Sequence, residues 1–283
     1  MAARFGARVV AVAPVGARQL AHLEALTRRE GVQSDFVAVE SDTRVCLNIV
    51  HGDGTCTEII ENGAPLSTQA GTLLLEKWRQ WLPRARLAAI GGAYPPSTDP
   101  AFELHAAILC QMAHRAGVPV IYDGRGAAFS RALRSPFPPW AIKPNLAEAE
   151  SMLGRAIETE VEERRAVRDL RALGAEIVLL SCGARGLYLG HAGGIEWIEA
   201  PRVDLVSSVG CGDALVGAFA AKWLDGASLL EAARWGVAAG SACAAQPFPA
   251  LISPADAARL LPDVRVQNRE IALHSAEKPR RQR

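Results

Sequence analysis

Ser207-Ser208-Val209-Gly210-Cys211-Gly212-Asp213, running straight into Ala214-Leu215-Val216-Gly217-Ala218-Phe219, is the stretch on which the reading of this chain turns. Small residues that end in an acid and lead into an apolar run predict a helix over residues 212–224. The start of such a helix presents backbone N–H groups and the positive end of the peptide dipole beside a carboxylate. That combination holds an anion and takes up a proton in one place, as phosphoryl transfer to an alcohol requires. The same residues also read as a helix that is merely glycine-flanked and acid-capped, since short glycine motifs match by chance.

With 283 residues, of which 49% are hydrophobic, and a net charge of +1, the chain reads as globular, with one large core or a core plus a small appendage. The near-neutral charge gives no ground for a nucleic-acid or membrane partner. The basic run Lys278-Pro279-Arg280-Arg281-Gln282-Arg283 reads as a solvated tail. No apolar stretch is long enough to span a bilayer, and the first residues lack the apolar region and cleavage site of a secretory signal. The six cysteines (Cys46, Cys56, Cys110, Cys182, Cys211, Cys243) are scattered and the six histidines dispersed. We therefore expect reduced thiols in a cytoplasmic protein, with neither a zinc site nor a cysteine nucleophile.

Outward from the opening stretch, apolar runs of strand length alternate with helical periodicity, the pattern of a mostly parallel sheet covered on both faces. Central strands are expected at 8–13, 87–90, 118–122, 141–143 and 176–180. Helices are expected at 17–29, 68–81, 100–116, 160–173, 212–224 and 229–245, with a short capped helix at 253–261. Residues 35–39, 45–51 and 56–60 break the alternation. They read as a small antiparallel sheet, turning at Gly52-Asp53-Gly54, that forms a lid or an edge meander. Nothing suggests a second domain.

Three clusters carry chemistry. Asp213, in the first turn of its helix, is the candidate base, and the N–H groups of Gly210, Cys211 and Gly212 would face a transferring phosphoryl group. Lys143-Pro144-Asn145-Leu146-Ala147-Glu148 leaves a strand and enters a helix. Asn145 and Glu148 make a capping box in one reading and hold Mg²⁺ through water in the other. Ser181-Cys182-Gly183-Ala184-Arg185-Gly186 is a glycine turn between two strands, or simply a hairpin.

In this order the pieces resemble the PfkB (ribokinase-like) family of sugar kinases, over residues 3 to about 266. Gly210-Cys211-Gly212-Asp213 is similar to the family's Gly-x-Gly-Asp signature, with Cys211 where alanine is usual. Asn145-x-x-Glu148 resembles its metal-linked motif, and the turn at Ser181, Gly183 and Gly186 its nucleotide-binding one. Ala238-Ala239-Gly240-Ser241-Ala242 looks like the stretch lining the adenine pocket. The resemblance thus implies ATP bound by Ser181, Gly183, Gly186, Ser208, Ala239 and Gly240, with Mg²⁺ at Asn145 and Glu148. It also implies a ribokinase-like three-layer α/β fold with a small β lid at about 35–60, in one domain over 1–266, followed by a tail at 267–283.

Two stretches look like the 1-phosphofructokinase and tagatose-6-phosphate kinase branch. Asp42-Thr43-Arg44 with Thr57-Glu58-Ile59 is similar to its lid, and Lys143-Pro144-Asn145 to its form of the metal motif. Arg44 suits an acceptor that already carries phosphate, because guanidinium pairs bidentately with phosphate oxygens; it also reads as a solvated strand residue. Gly92, in Gly91-Gly92-Ala93-Tyr94-Pro95-Pro96, would lie near the sugar. That loop and Asp123-Gly124-Arg125-Gly126 depart from the branch's patterns, which leaves the sugar open. The family's first strand and its Gly-Gly-Lys-Gly-x-Asn segment have no counterpart here, and we expect Met1 to be an internal methionine. The resemblance implies an ATP-dependent kinase of a sugar phosphate, with kinases of plain sugars or nucleosides and a truncated, inactive nucleotide binder as rivals. An exposed lid edge would offer a route to a homodimer.

Overall fold

A computed structural model describes residues 1–50, 56–92, 95–99 and 105–267. At the amino end, strands β1 (Val9–Ala11) and β2 (Pro14–Gly16) lead through helix α1 (Leu20–Arg29) to β3 (Val32–Ser34) and β4 (Val37–Val39). β1 pairs in parallel with β3 and β2 with β4. Bonds from Asp35 N–H to Ala11 O and from Val37 N–H to Ala13 O, both 2.9 Å, join the pairs into one bent ribbon.

This corrects two expectations. The strand at 8–13 is not in the main sheet of the described residues; it stops short of Pro14, which has no N–H for a continuous ladder. Residues 35–39 are not part of an antiparallel lid either. Val37 is buried against Leu66, Ala70 and Leu74, a position that a projecting strand could not supply. The lid is the antiparallel hairpin of β5 (Cys46–Val50) and β6 (Cys56–Ile60), with Cys46 opposite Ile60. The expected turn at Gly52-Asp53-Gly54 lies outside the described residues.

The body follows as α2 (Thr68–Trp81), β7 (Ala88–Gly92), α3 (Ala106–Arg115), β8 (Val120–Gly124), α4 (Gly126–Leu133), β9 (Ala141–Ile142), α5 (Leu146–Leu153), α6 (Glu160–Ala172) and β10 (Ile177–Ser181). It continues through β11 (Gly186–His191), β12 (Gly194–Glu199), α7 (Cys211–Leu224), α8 (Leu229–Ala244), α9 (Pro254–Leu260) and β13 (Arg265–Gln267). The helix expected at 100–116 starts at Ala106, with residues 100–104 outside the described set, and α1 starts three residues later than its periodicity implied. The seven-stranded sheet runs β13-β12-β11-β10-β9-β8-β7. β7 to β10 are parallel and β11 to β13 antiparallel, a mixed sheet consistent with the expected α/β architecture.

Both faces of the sheet are covered, which explains why the strands read as continuous apolar runs. Along β8, Val120 and Tyr122 enter one core while Ile121 enters the other; along β10, Val178 and Leu180 oppose Ile177 and Leu179 in the same way. The first core lies under α3 to α6, and the second under α7, α8 and α9. Among the described residues no helix is long and apolar enough to cross a membrane.

Candidate active site

Parallel pairing levels the carboxyl ends of β7 to β10. Gly91 stands opposite Asp123 and Tyr122 opposite Ile142, while Asn145 forms a bridge with Ser181. Gly92, Asp123, Lys143, Asn145 and Ser181 therefore share one rim, the edge at which open α/β sheets bind ligands.

The amino end of α7 lies against this rim. Gly210 is its N-cap at φ 78°, a left-handed conformation that glycine adopts without strain, and a Cβ there would fall 2.9 Å from Ala250 N. The Cys211 N–H makes a long 3.4 Å contact with Ser208 O, and Ala214 N–H bonds Gly210 O at 2.9 Å. Asp213 is exposed at the third helical position. Behind the turn, the buried Lys143 Nζ lies 3.2 Å from Asp123 Oδ1 and 3.2 Å from where a Cβ on Gly212 would sit. Burial raises the pKa of Asp123, the Lys143 ammonium lowers it, and the carboxylates of Asp213 and Glu148 push it up again. An ammonium directly beneath an anion-binding turn can stabilise charge that develops on a phosphoryl group.

Asn145 and Glu148 form the capping box of α5. Glu148 N–H bonds Asn145 Oδ1 and Asn145 N–H bonds Glu148 Oε2, each at 2.9 Å. The box uses one side-chain oxygen of each residue and leaves the second carboxylate oxygen of Glu148. Among the described residues no cluster of three or more His, Cys, Asp or Glu could enclose a metal ion. Oxygen donors this sparse suit a cation that keeps most of its water, as Mg²⁺ does.

On one side of the turn lies a groove of about 910 Å³. Asn145, Ser181, Gly183, Gly186, Ser208, Cys211, Gly212 and Gly240 all line it. Gly186, at φ 134°, would place a Cβ 2.1 Å from Ile198 O, so the turn after β10 closes only around glycine. Ala239 is the exception: it is fully buried in the core behind the groove, because its place on α8 faces the sheet, whereas its neighbours Gly240 and Ser241 reach the groove.

A second cavity, of about 400 Å³, lies between the bent ribbon, β7 and the root of the lid. Ser41, Asp42, Thr43, Arg44, Gly91 and Gly92 line it together with apolar residues. The lid root is pinned by Gly16 N–H bonding Thr43 Oγ1 at 2.9 Å. Arg44 is exposed there. The groove and the cavity are separate hollows that flank one rim.

The sequence model of the pfkB family carbohydrate kinase matches residues 1–255. The chain belongs to the PfkB family of carbohydrate kinases. Its fold is similar to that of phosphofructokinase-2 from Escherichia coli in complex with potassium, at 27% identity and a TM-score of 0.83, over 93% of this chain and 84% of that one. A possible 1-phosphofructokinase from Thermotoga maritima aligns at 20% identity and a TM-score of 0.84, over 94% and 84%. Ribokinase from Arabidopsis thaliana, complexed with ribose and ATP, aligns at 22% and 0.71, over 92% and 83%. These last two share the fold.

In this PfkB kinase, sequence reasoning missed Lys143 and Asp123 as site residues. It used Lys143 only as the form of a motif and Asp123 only as a departure from one. A lone Lys at a strand end and a lone Asp in a glycine loop signal nothing singly, and only the parallel register sets them side by side. α4, which packs Phe129, Ala132 and Leu133 into the core, was missed too.

Proposed function

We propose that this kinase transfers the γ-phosphoryl group of ATP to a hydroxyl of a sugar that already carries a phosphate. The observation that carries the reading is Arg44, an exposed guanidinium at the mouth of a 400 Å³ cavity that shares its rim with the α7 turn. Among the described residues Arg44 has no ion-pair partner, whereas its neighbour Asp42 faces Arg18 at 3.8 Å. The guanidinium is available to a phosphate. The adenine and ribose would lie in the larger groove between Gly183 and Gly240, with the phosphates directed towards the turn at Gly210–Gly212. Asp213 would accept the proton of the acceptor hydroxyl as the new bond forms, and Lys143 and the N–H groups of the turn would hold the phosphoryl oxygens. Mg²⁺, when bound, would neutralise phosphate charge. Glu148, with Asn145, would hold that ion through water, with Asp123 nearby. Residues 1–266 would act as one domain.

The likeness to phosphofructokinase-2 above 25% identity favours a phosphorylated ketohexose over a plain sugar. The test is ADP formation with fructose 6-phosphate, fructose 1-phosphate, tagatose 6-phosphate, fructose and ribose, for wild type and Arg44→Ala. We expect Arg44→Ala to raise KM for the phosphorylated acceptor roughly tenfold or more. Equal losses with plain and phosphorylated sugars would remove the role of Arg44. We propose further that the lid hairpin pairs with a second copy, because Leu47, Ile49, Ile59 and Ile60 are all exposed on it.

A further inference from the structure

Cys211 and Cys243 are separated by 32 positions in sequence, and the packing of α7 on α8 brings their sulfurs within hydrogen-bond reach. Each is also tied to its surroundings. Cys211 Sγ lies 3.6 Å from Ser207 O, and Cys243 Sγ 3.6 Å from Val209 O. Ala250 N–H donates to Cys243 Sγ at 3.3 Å. Ala250 holds φ 52°, in the left-handed region, and is the one non-glycine residue to do so among the described ones. Its strained backbone aims an N–H at a sulfur. Cys211 lines the nucleotide groove, whereas Cys243 is 1% exposed, so a small solute in the groove meets Cys211 first.

We propose that Cys211 and Cys243 are a reversible modification site, closing to a disulfide that ties the anion-binding turn to the last turn of α8 and switches off phosphoryl transfer. The oxidant is a hydroperoxide of the size of hydrogen peroxide, entering through the groove. The Cys211 thiol donates to Cys243, and two donors, Cys211 and the Ala250 N–H, favour the thiolate at Cys243. As Cys211 Sγ attacks the peroxide, its proton passes to Cys243, the O–O bond breaks, and Cys211 becomes a sulfenic acid while hydroxide leaves. Hydroxide then takes the proton from Cys243. The Cys243 thiolate attacks Cys211 Sγ, the S–S bond forms, and the S–O bond breaks with loss of a second hydroxide. Two electrons pass from the sulfurs to the peroxide, and a dithiol restores the pair.

The other described buried cysteines do not share this chemistry. Burial pushes Cys110 and Cys182 up to about 12, and neither faces a second cysteine. In the oxidised protein the Cβ of Cys211 is held towards α8, and the adjacent N–H groups of Gly212 and Asp213 can no longer adjust to a phosphate.

The bond itself stands apart from the proposed function, and only its effect on turnover rests on that reading. The test treats the full chain with hydrogen peroxide, maps disulfides by peptide mass, and follows sugar-phosphate-dependent ADP formation before and after dithiothreitol. We expect a Cys211–Cys243 cross-link, a loss of turnover of about tenfold or more, and full recovery on reduction. Cys243→Ala and Cys243→Ser should form no cross-link and keep their turnover under the same oxidation. Failure to find the cross-link in wild type, or equal inactivation of both Cys243 variants, would overturn the proposal. A cross-link that leaves turnover unchanged would overturn the switch. A chain with no kinase activity but a clean cross-link would instead count against the proposed function alone.

Discussion

At the scale of single residues, the Lys143–Asp123 pair sets an ammonium against a carboxylate behind the α7 turn. Replacing Lys143 by Met leaves the half-buried Asp123 without its partner, which should cost about 1–3 kcal/mol in urea unfolding; Lys143→Met with Asp123→Asn should recover part of that loss. If the double variant is no more stable than Lys143→Met, the pair is not coupled as described. A second carboxylate behaves oppositely. Asp35 binds Lys77 and, at 2.7 Å, Trp81 Nε1, and the Lys77 hydrogen bond holds its pKa below the usual carboxylate range. A lowered folded-state pKa gives stability that is present above the unfolded value and lost as pH falls through the folded one. The Tm of wild type should therefore exceed that of Asp35→Ala above about pH 4, and the gap should close in stronger acid. A gap that stays constant down to pH 2 would contradict this. Both pairs escaped the sequence, because residues 20 and 42 positions apart become neighbours only once the elements around them are packed.

Among the elements, the legible ones are those with local signals. The box at Asn145 and Glu148, the Ser-Pro start of α9 and the glycine turn at Gly183 and Gly186 follow from short-range chemistry, and the structure contains each of them. The ribbon of β1 to β4 was misread because a strand of three residues carries no pairing information of its own, and parallel or antiparallel pairing depends on what lies across α1. α4 was missed for a similar reason: Gly126-Ala127-Ala128 looks like loop until Phe129 and Leu133 find the core. At this scale Gly186→Ala tests whether the turn after β10 is as tight as its geometry indicates. With a Cβ directed at Ile198 O from φ 134°, it should lower Tm by several degrees and weaken nucleotide binding together. A variant with wild-type Tm and nucleotide affinity would show that the β10–β11 turn relaxes freely.

For the whole molecule, the family and layer architecture were readable because the motifs keep one order along the chain. The acceptor was not, because Arg44 stands on a lid whose orientation no local pattern encodes. The lid also bears on assembly. Leu47→Asp in β5 would put charge on its exposed apolar face, and sedimentation should find a lighter species than wild type if that face joins two copies. Unchanged mass would remove the lid from any interface. The proposed chemistry depends above all on the α7 turn as the place where the phosphoryl group moves. Its most direct test is sugar-phosphate-dependent ADP formation by wild type and Asp213→Asn, with ATP affinity measured alongside. We predict that ATP affinity stays near normal while turnover falls about a hundredfold or more. A fall of less than tenfold, with ATP still bound, would show that the proton leaves by another route and that the turn is only a helix cap.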